Sequence, residues 1–398
     1  MSVVTGWDTH AGQAGLDLAA SDQLSAACSR TSDSLVGAEH VVRLSAARIR
    51  ARLGAWASAA QAWKVWSAPD IHVSALSGPG NLVVRIDRPV TPAEHADWLV
   101  SGAAVLVVEG RFATLTVGGA VYRLAGNPEA QWLAAFAAFL DCACVPQDAL
   151  CWAWGWRSAA HAAHDWPTDL DCLPRVAGLP ARAVDEVYAA CPPALGLYPV
   201  VPDAQWVERL LEAGVKTIQL RIKNDDGSAD PHFIEREIRR AVVAGKAHQA
   251  RVFINDHWQL ALEAGAYGVH LGQEDLQVAD LGAIARAGLR LGLSTHGVYE
   301  MLLAWHYRPS YLAFGAVFPT RTKQLASDPQ GLARLTRFVD LFAAHISTVA
   351  IGGIDLAVLP QVLATGVGSA AVVRAVTGAH DLGAALTALE QVFAERAL

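Results

Sequence analysis

Two sets of side chains recur at short intervals in the second half of this sequence: cations with amides, and carboxylates. In Gln219-Leu220-Arg221-Ile222-Lys223, strand alternation points Gln219, Arg221 and Lys223 to one face. Two cations and an amide turned into a core are costly unless an anion pairs with them. The alternative is an outward strand whose Arg and Lys are solvated. Carboxylates follow in Ile254-Asn255-Asp256 and in Gly272-Gln273-Glu274-Asp275. One or two carboxylates beside a phosphate-binding cluster suit Mg²⁺, although Asp256 and Asp275 could equally cap the helices they precede. Further along come Leu293-Ser294-Thr295-His296, then Phe318-Pro319-Thr320-Arg321-Thr322-Lys323, then Ala350-Ile351-Gly352-Gly353. The glycines would let backbone N–H groups approach a phosphate, or would form an ordinary left-handed turn. This inventory contains no Ser–His–Asp set and no obvious covalent nucleophile. Displacement or ionisation of a diphosphate, driven by charge stabilisation, fits it better than hydrolysis.

These clusters need a scaffold that gathers them. After Pro193, short β-branched runs alternate with helical stretches at a spacing near 25 residues. Strands are expected at 196–201, 217–223, 251–256, 268–273, 290–296, 311–318, 348–354 and 369–376. Helices are expected at 205–213, 233–246, 258–264, 276–287, 332–344, 358–364 and 382–397. Eight strand–helix units predict an α/β fold of the (β/α)8 TIM-barrel type, whose active face lies at the C-terminal ends of the strands. Every cluster named above falls at such an end. A doubly wound sheet is the alternative, but no Gly-rich turn follows Val201.

The first half differs in character. It holds ten of the 13 tryptophans and all six cysteines, Cys28, Cys142, Cys144, Cys151, Cys172 and Cys191. No pair has C-x-x-C spacing, so buried thiols in a reducing compartment are expected rather than zinc ligands. Helices are expected at 46–63, 129–140 and 148–164, and strands at 81–86, 104–109, 113–117 and 121–124, the last two joined at Gly118-Gly119. The expected organisation is an α+β accessory domain at 1–165, a Pro-containing linker at 166–194 and the barrel at 195–398. With 53% hydrophobic residues, the chain has ample material for packed cores, which excludes disorder. A net charge of −7 argues against nucleic acid as a partner. The most apolar stretch, 132–154, contains Asp141, Pro146 and Asp148 and suits a buried helix rather than a membrane span. A cytoplasmic protein acting on small molecules is expected, and a homo-oligomer is left open.

The second half resembles the thiamine phosphate synthase family. The resemblance is carried by Gln-Leu-Arg-Ile-Lys at 219–223, Phe-Ile-Asn-Asp-His-Trp at 253–258 and Gly-Val-His-Leu-Gly-Gln-Glu-Asp-Leu at 268–276. Gly-Leu-Ser-Thr-His-Gly at 292–297, Val-Phe-Pro-Thr-Arg-Thr-Lys at 317–323 and Val-Ala-Ile-Gly-Gly-Ile at 349–354 complete it. It implies a transferase that joins 4-amino-2-methyl-5-(diphosphooxymethyl)pyrimidine to hydroxyethylthiazole phosphate, releasing pyrophosphate by a dissociative, Mg²⁺-assisted path. By motif, the segment Gln219, Leu220, Arg221, Ile222 and Lys223 would bind the pyrimidine diphosphate, with Asn255, Ser294 and Lys323. Arg221, Lys223, Ser294 and Lys323 would carry the catalysis, and Asp256 and Asp275 would hold Mg²⁺. Thr320 and Thr322 would contact the thiazole phosphate, helped by Gly353 and the backbone near Val373, and Arg321 would be a further substrate-binding residue. Arg374 stands where many members carry a small Ser, and no role is assigned to it.

Two other readings remain at this stage. Thiazole tautomerases share the barrel and use a His proton shuttle, for which His296 is placed, but they have no need of a diphosphate cradle. A noncatalytic phosphate-binding regulator would have no need of the metal carboxylates. The first half lacks the G-[AT]-G-[CD] anion hole of a ribokinase-type kinase, so an active kinase fused to the barrel is not expected.

Overall fold

The computed structural model describes residues 64–66, 80–87, 89–130, 132–141, 144–157, 167, 169–181, 187–223, 230–320 and 329–396. The chain divides into two compact units, Met1–Pro180 and Ala181–Leu398. The helix expected at 46–63 lies outside the described residues.

The first unit is built on a six-stranded mixed sheet in the order β1-β2-β3-β4-β5-β6. The strands are Lys64–Trp66, Asn81–Ile86, Ala104–Glu109, Phe112–Val117, Ala120–Ala125 and Arg175–Val176. The β4–β5 hairpin turns at Gly118 and Gly119, whose φ values of 57° and 81° are those a two-residue turn of this hand requires. A helix that the pattern did not suggest, Pro92–Val100, starts with a capping box in which Thr91 and Glu94 satisfy each other's backbone N–H groups. Those bonds from Thr91 hold the Glu94 carboxyl below its usual range. Its Trp98 packs with Val83, Ala103 and Val105 in the core of the unit. The helices expected at 129–140 and 148–164 appear as Trp132–Asp141 and Pro146–Gly155, with 158–164 outside the described residues. Pro146 lacks an N–H and opens the second helix at its first turn, where no donor is needed. Four of the cysteines are described, all as free thiols; Cys144 and Cys151 are buried, while Cys172 and Cys191 are half-buried.

The stretch expected to be a linker is largely built into the two units. Arg175–Val176 pairs antiparallel with β5 through Leu124↔Val176. Farther on, backbone carbonyls accept from barrel side chains: Ala189 O from Ser310 Oγ at 2.7 Å and Ala190 O from Arg290 Nε at 3.0 Å. Prolines remove donors but leave every carbonyl free to accept, so a segment without periodicity can still be anchored.

The second unit is a closed parallel barrel, β7 to β14 in chain order, with β14 pairing β7 through Val372↔Pro199. The strands are β7 Gly196–Val201, β8 Thr217–Leu220, β9 Arg251–Asn255, β10 Gly268–Leu271, β11 Arg290–Thr295, β12 Tyr311–Phe314, β13 Ser347–Ile351 and β14 Ser369–Val372. Most end earlier than expected. β8 ends at Leu220, with Arg221 N still donating to Val201 O at 2.8 Å, so Arg221, Ile222 and Lys223 lie beyond it. The helix at Val298–His306, between β11 and β12, is one the eight strand–helix units call for but whose bounds the pattern did not mark; its burial covers most of its length and leaves little amphipathic signal. The stretch expected as a helix at 276–287 is a short 3₁₀ turn, Asp275–Gln277, followed by the helix Leu281–Arg286. Tyr198, Val200, Phe253, Tyr311, Ala313, Val349 and Ala371 fill the barrel interior. No helix among the described residues is long and apolar enough to cross a membrane.

Candidate active site

At the C-terminal ends of the barrel strands lies a cavity of about 1130 Å³. Its walls include Gln219, Arg221, Lys223, Asn255, Asp256, Asp275, Ser294, Thr320, Gly353 and Val373. Residues from six different strand ends and from the loop after β12 therefore converge on one space. The side chains of Leu220 and Ile222 are not among those walls; they are buried at 1% and 8% exposure on the other face of the segment. Alternation puts them there, since residues two apart share a face and adjacent ones do not. Arg321, Thr322 and Lys323 lie outside the described residues.

Each element delivers its group for a local reason. Asn255 is the last residue of β9, buried at 6% exposure, and Asp256 follows in the left-handed region at φ 61°. A non-glycine residue at that φ is strained. It is held there by its own N–H, which donates to His270 O at 3.0 Å. Asp275 opens the turn after β10, and its Oδ2 accepts from Gly272 N at 2.8 Å. The loop after β13 turns through Gly352 and Gly353 at φ 104° and 67°. It is tied to the loop after β12 by Phe318 N→Gly352 O at 3.0 Å and Val317 N→Ile351 O at 2.9 Å. A Cβ on Gly353 would stand 2.7 Å from Pro319 O, so this approach of two backbones demands glycine.

Of the carboxylates that line the cavity, Asp256, Glu274, Asp275 and Asp355, the pair expected to hold a metal is Asp256 and Asp275. Among the described residues no group of three or more His, Cys, Asp or Glu side chains could enclose a metal. Asp256 and Asp275 on the wall of one cavity supply two hard oxygen donors, the number Mg²⁺ takes from a protein when phosphate oxygens and water complete its octahedron. The donor set fits the ion. His257, next to Asp256, is held below its usual pKa by burial, against the opposing pull of the Asp275 charge.

Several residues on this face carried no role in the sequence reading. His270 lines the cavity from β10. It hydrogen-bonds through Nε2 to Ser294 Oγ at 2.7 Å and through Nδ1 to the Tyr311 hydroxyl at 2.7 Å. The Tyr311 and Tyr198 hydroxyls are 3.0 Å apart, and Gln219 Nε2 donates to Tyr198 at 3.3 Å. Space for the Tyr311 ring comes from Gly292, its register partner on β11, where a Cβ would lie 2.1 Å from the ring. His296, the proton shuttle of the tautomerase reading, lines the cavity as well, and its Nδ1 lies 2.9 Å from Glu300 Oε2. The signal for His270 was present, since a lone His in an apolar strand is a buried polar group in need of partners. Tyr311, which meets it, comes from β12, and Tyr198, which meets Tyr311, from β7, both distant in sequence.

Comparison with known proteins places this half of the chain. A family model described as thiamine monophosphate synthase matches residues 197–376. The chain is 60% identical over 187 residues to the thiamine-phosphate synthase of Yersinia pestis, covering 47% of this chain and 85% of that one. It is 57% identical over 187 residues to that of Shigella sonnei, covering 86% of its length. Among solved structures, the thiamine phosphate pyrophosphorylase of Pyrococcus furiosus is 33% identical with a TM-score of 0.45, covering 51% of this chain and 96% of that one. A barrel of eight parallel strands, a polar cavity at their C-terminal ends and relatives matched over most of their length lead to one conclusion: the chain belongs to the thiamine monophosphate synthase family, an enzyme family of transferases.

Proposed function

We propose that the barrel half condenses 4-amino-2-methyl-5-(diphosphooxymethyl)pyrimidine with hydroxyethylthiazole phosphate to thiamine phosphate and pyrophosphate. The observation that carries this reading is the joint presence of Arg221, Lys223, Asn255, Asp256 and Asp275 on one cavity wall, with the Gly353 loop on the same wall. That is positive charge and metal-ligating oxygen for a diphosphate, and backbone N–H groups for a second, smaller phosphate.

In this mechanism Arg221 and Lys223, with Lys323, stabilise the negative charge that builds on the departing pyrophosphate. Breaking the C–O bond leaves a pyrimidine-methyl cation, which the thiazole nitrogen captures. Gln219, Asn255 and Ser294 hold the pyrimidine part. Thr320, Thr322, Gly353 and the backbone near Val373 hold the thiazole phosphate, and Arg321, between the two threonines in sequence, adds to substrate binding. Asp256 and Asp275 would hold Mg²⁺, which when bound supplies positive charge to the diphosphate oxygens. A dissociative step needs no base, only preorganised charge around the leaving group.

The reading is tested by pyrophosphate release from both substrates with Mg²⁺, using the full chain beside one beginning at Ala181. We infer that the barrel unit carries the chemistry, so both should release pyrophosphate. Release by neither, with both folded, sinks the transferase reading. Asp256→Asn combined with Asp275→Asn should abolish Mg²⁺-dependent turnover; unchanged turnover would remove the metal assignment. The contact between His296 and Glu300 favours a second reading, an isomerase that moves a proton on a thiazole phosphate. That activity would need His296 but neither Lys223 nor Asp275.

A further inference from the structure

A continuous row of hydrogen-bonding groups runs through the barrel interior and joins two residues of the cavity wall. It passes from Gln219 Nε2 to the Tyr198 hydroxyl, the Tyr311 hydroxyl, His270 Nδ1, and from His270 Nε2 to Ser294 Oγ. Tyr198 and Tyr311 are 1% and 0% exposed, and Gln219 and His270 are 3% and 5% exposed. Burial pushes both phenols far above the ordinary tyrosine range, so each keeps its proton at any working pH. Each hydroxyl has one proton to give, and a neutral imidazole has one donor and one acceptor nitrogen.

These counts give the row a direction. With Gln219 Nε2 donating, Tyr198 passes its proton toward Tyr311, and Tyr311 passes its own toward His270 Nδ1. Nδ1 as acceptor leaves the imidazole proton on Nε2, which donates to Ser294 Oγ. The Ser294 proton is then left for the cavity, and so is the acceptor oxygen of Gln219. The opposite sense requires turning the Gln219 amide, changing the His270 tautomer and rotating three hydroxyls together. A hydroxyl or the imidazole left behind would set donor against donor or acceptor against acceptor, and Gln219 left behind would strand the Tyr198 proton without an acceptor; in a buried site an unmade hydrogen bond is costly.

We propose that this row sets the hydrogen-bonding polarity of the cavity, an acceptor at Gln219 and a donor at Ser294, and so selects a 4-aminopyrimidine diphosphate over its 4-oxo counterpart. The inference rests on the transferase reading above. A 4-aminopyrimidine offers an exocyclic N–H donor and unprotonated ring nitrogens. Its 4-oxo form presents a carbonyl acceptor and a ring N–H, the reversed pattern. Tyr198, Tyr311 and His270 are positioning residues, acting through Gln219 and Ser294.

The test is kcat/KM for pyrophosphate release by the full chain from the 4-amino and 4-oxo diphosphates, with thiazole phosphate and Mg²⁺ present. The wild type should prefer the 4-amino substrate by at least about 100-fold, as sites built around hydrogen bonds do. Tyr311→Phe and Tyr198→Phe keep the rings and cut the row, and each should lower that preference by about tenfold, with KM for thiazole phosphate unchanged. A packing role alone would slow both substrates equally and leave the preference intact. A wild-type preference near one overturns the proposal, and so does an undiminished preference in either variant shown by its thermal transition to be folded. If one variant does not fold the other decides, because a wild-type preference by itself also follows from the 4-amino group stabilising the pyrimidine-methyl cation. If the wild type releases pyrophosphate from neither diphosphate, the transferase reading falls, and the proposal with it.

Discussion

Gly353 is the residue whose replacement the structure prices most directly. Its φ of 67° lies in the left-handed region, where an L side chain costs about 1–2 kcal/mol. A Cβ there would stand 2.7 Å from Phe318 Cβ and 2.7 Å from Pro319 O, distances that real Cβ atoms do not tolerate. Because Pro319 O is backbone, relief requires the loop after β12 to move, adding an overpacking cost of about 1–3 kcal/mol. Gly288, between the helix Leu281–Arg286 and β11, separates the two terms. It has a nearly equal φ of 70°, and a Cβ there would meet nothing within 4 Å. Gly288→Ala should therefore cost only the conformational part, about 1–2 kcal/mol, and Gly353→Ala about 2–5 kcal/mol. For a unit the size of Ala181–Leu398, each kcal/mol lowers the thermal transition by about 2–4 °C. Calorimetry of the two variants beside the wild type should thus show a drop at least about 2 °C larger for Gly353→Ala. Only that variant displaces the loop proposed to bind the thiazole phosphate, so only it should raise KM for thiazole phosphate, by about tenfold if one good charge-assisted bond is lost. Equal thermal shifts with unchanged KM in both would refute the claim that the two backbones are packed against each other.

Other consequences are more local. Gly292→Ala would drive a methyl into the Tyr311 ring, and because the glycine is not at positive φ the damage is purely steric. It should destabilise the chain and weaken pyrimidine diphosphate turnover together, which unfolding curves and pyrophosphate release would register. Two guanidinium nitrogens of Arg240 donate to the Glu208 carboxylate, and this holds the Glu208 carboxyl below its usual range. A lowered folded pKa stabilises above the ordinary Glu range and is lost as pH falls through the folded value. Glu208→Gln should therefore lower stability slightly at neutral pH and not at all in strong acid; an equal loss at both would refute the electrostatic origin. Burial pushes the Cys191 thiol up to about 12. At pH 8 iodoacetamide should leave it unmodified in the native chain and alkylate it in urea, read by peptide mass. Native alkylation at the unfolded rate would contradict the burial.

Much of the site could be read from particular residues in the sequence. Alternation at 219–223 separates Gln219, Arg221 and Lys223 on the cavity wall from the buried Leu220 and Ile222. That rule is local and needs no tertiary knowledge. Strand count and order were legible for the same reason, because β-branched runs broken by helical periods mark a barrel. Strand ends were placed too late, since hydrophobic pattern continues past the last ladder bond, as at Ile222 after β8. Two helices went unmarked for opposite reasons: Pro92–Val100 is short and mostly exposed, and Val298–His306 is buried over most of its length.

By itself, the sequence determined the barrel, the rim on which these polar groups collect and the types of group present there. Those depend on periods of two and 3.6 residues and on the composition of strand ends, both written along the chain. Tertiary structure alone decided which groups touch. The row from Gln219 through Tyr198, Tyr311 and His270 to Ser294 draws on five strands separated by up to 113 residues between bonded partners. Barrel closure brings β12 within reach of β7 and β10, and Gly292 clears the space that lets Tyr311 stand between them. Pairings of that kind depend on three-dimensional packing, which no local pattern records.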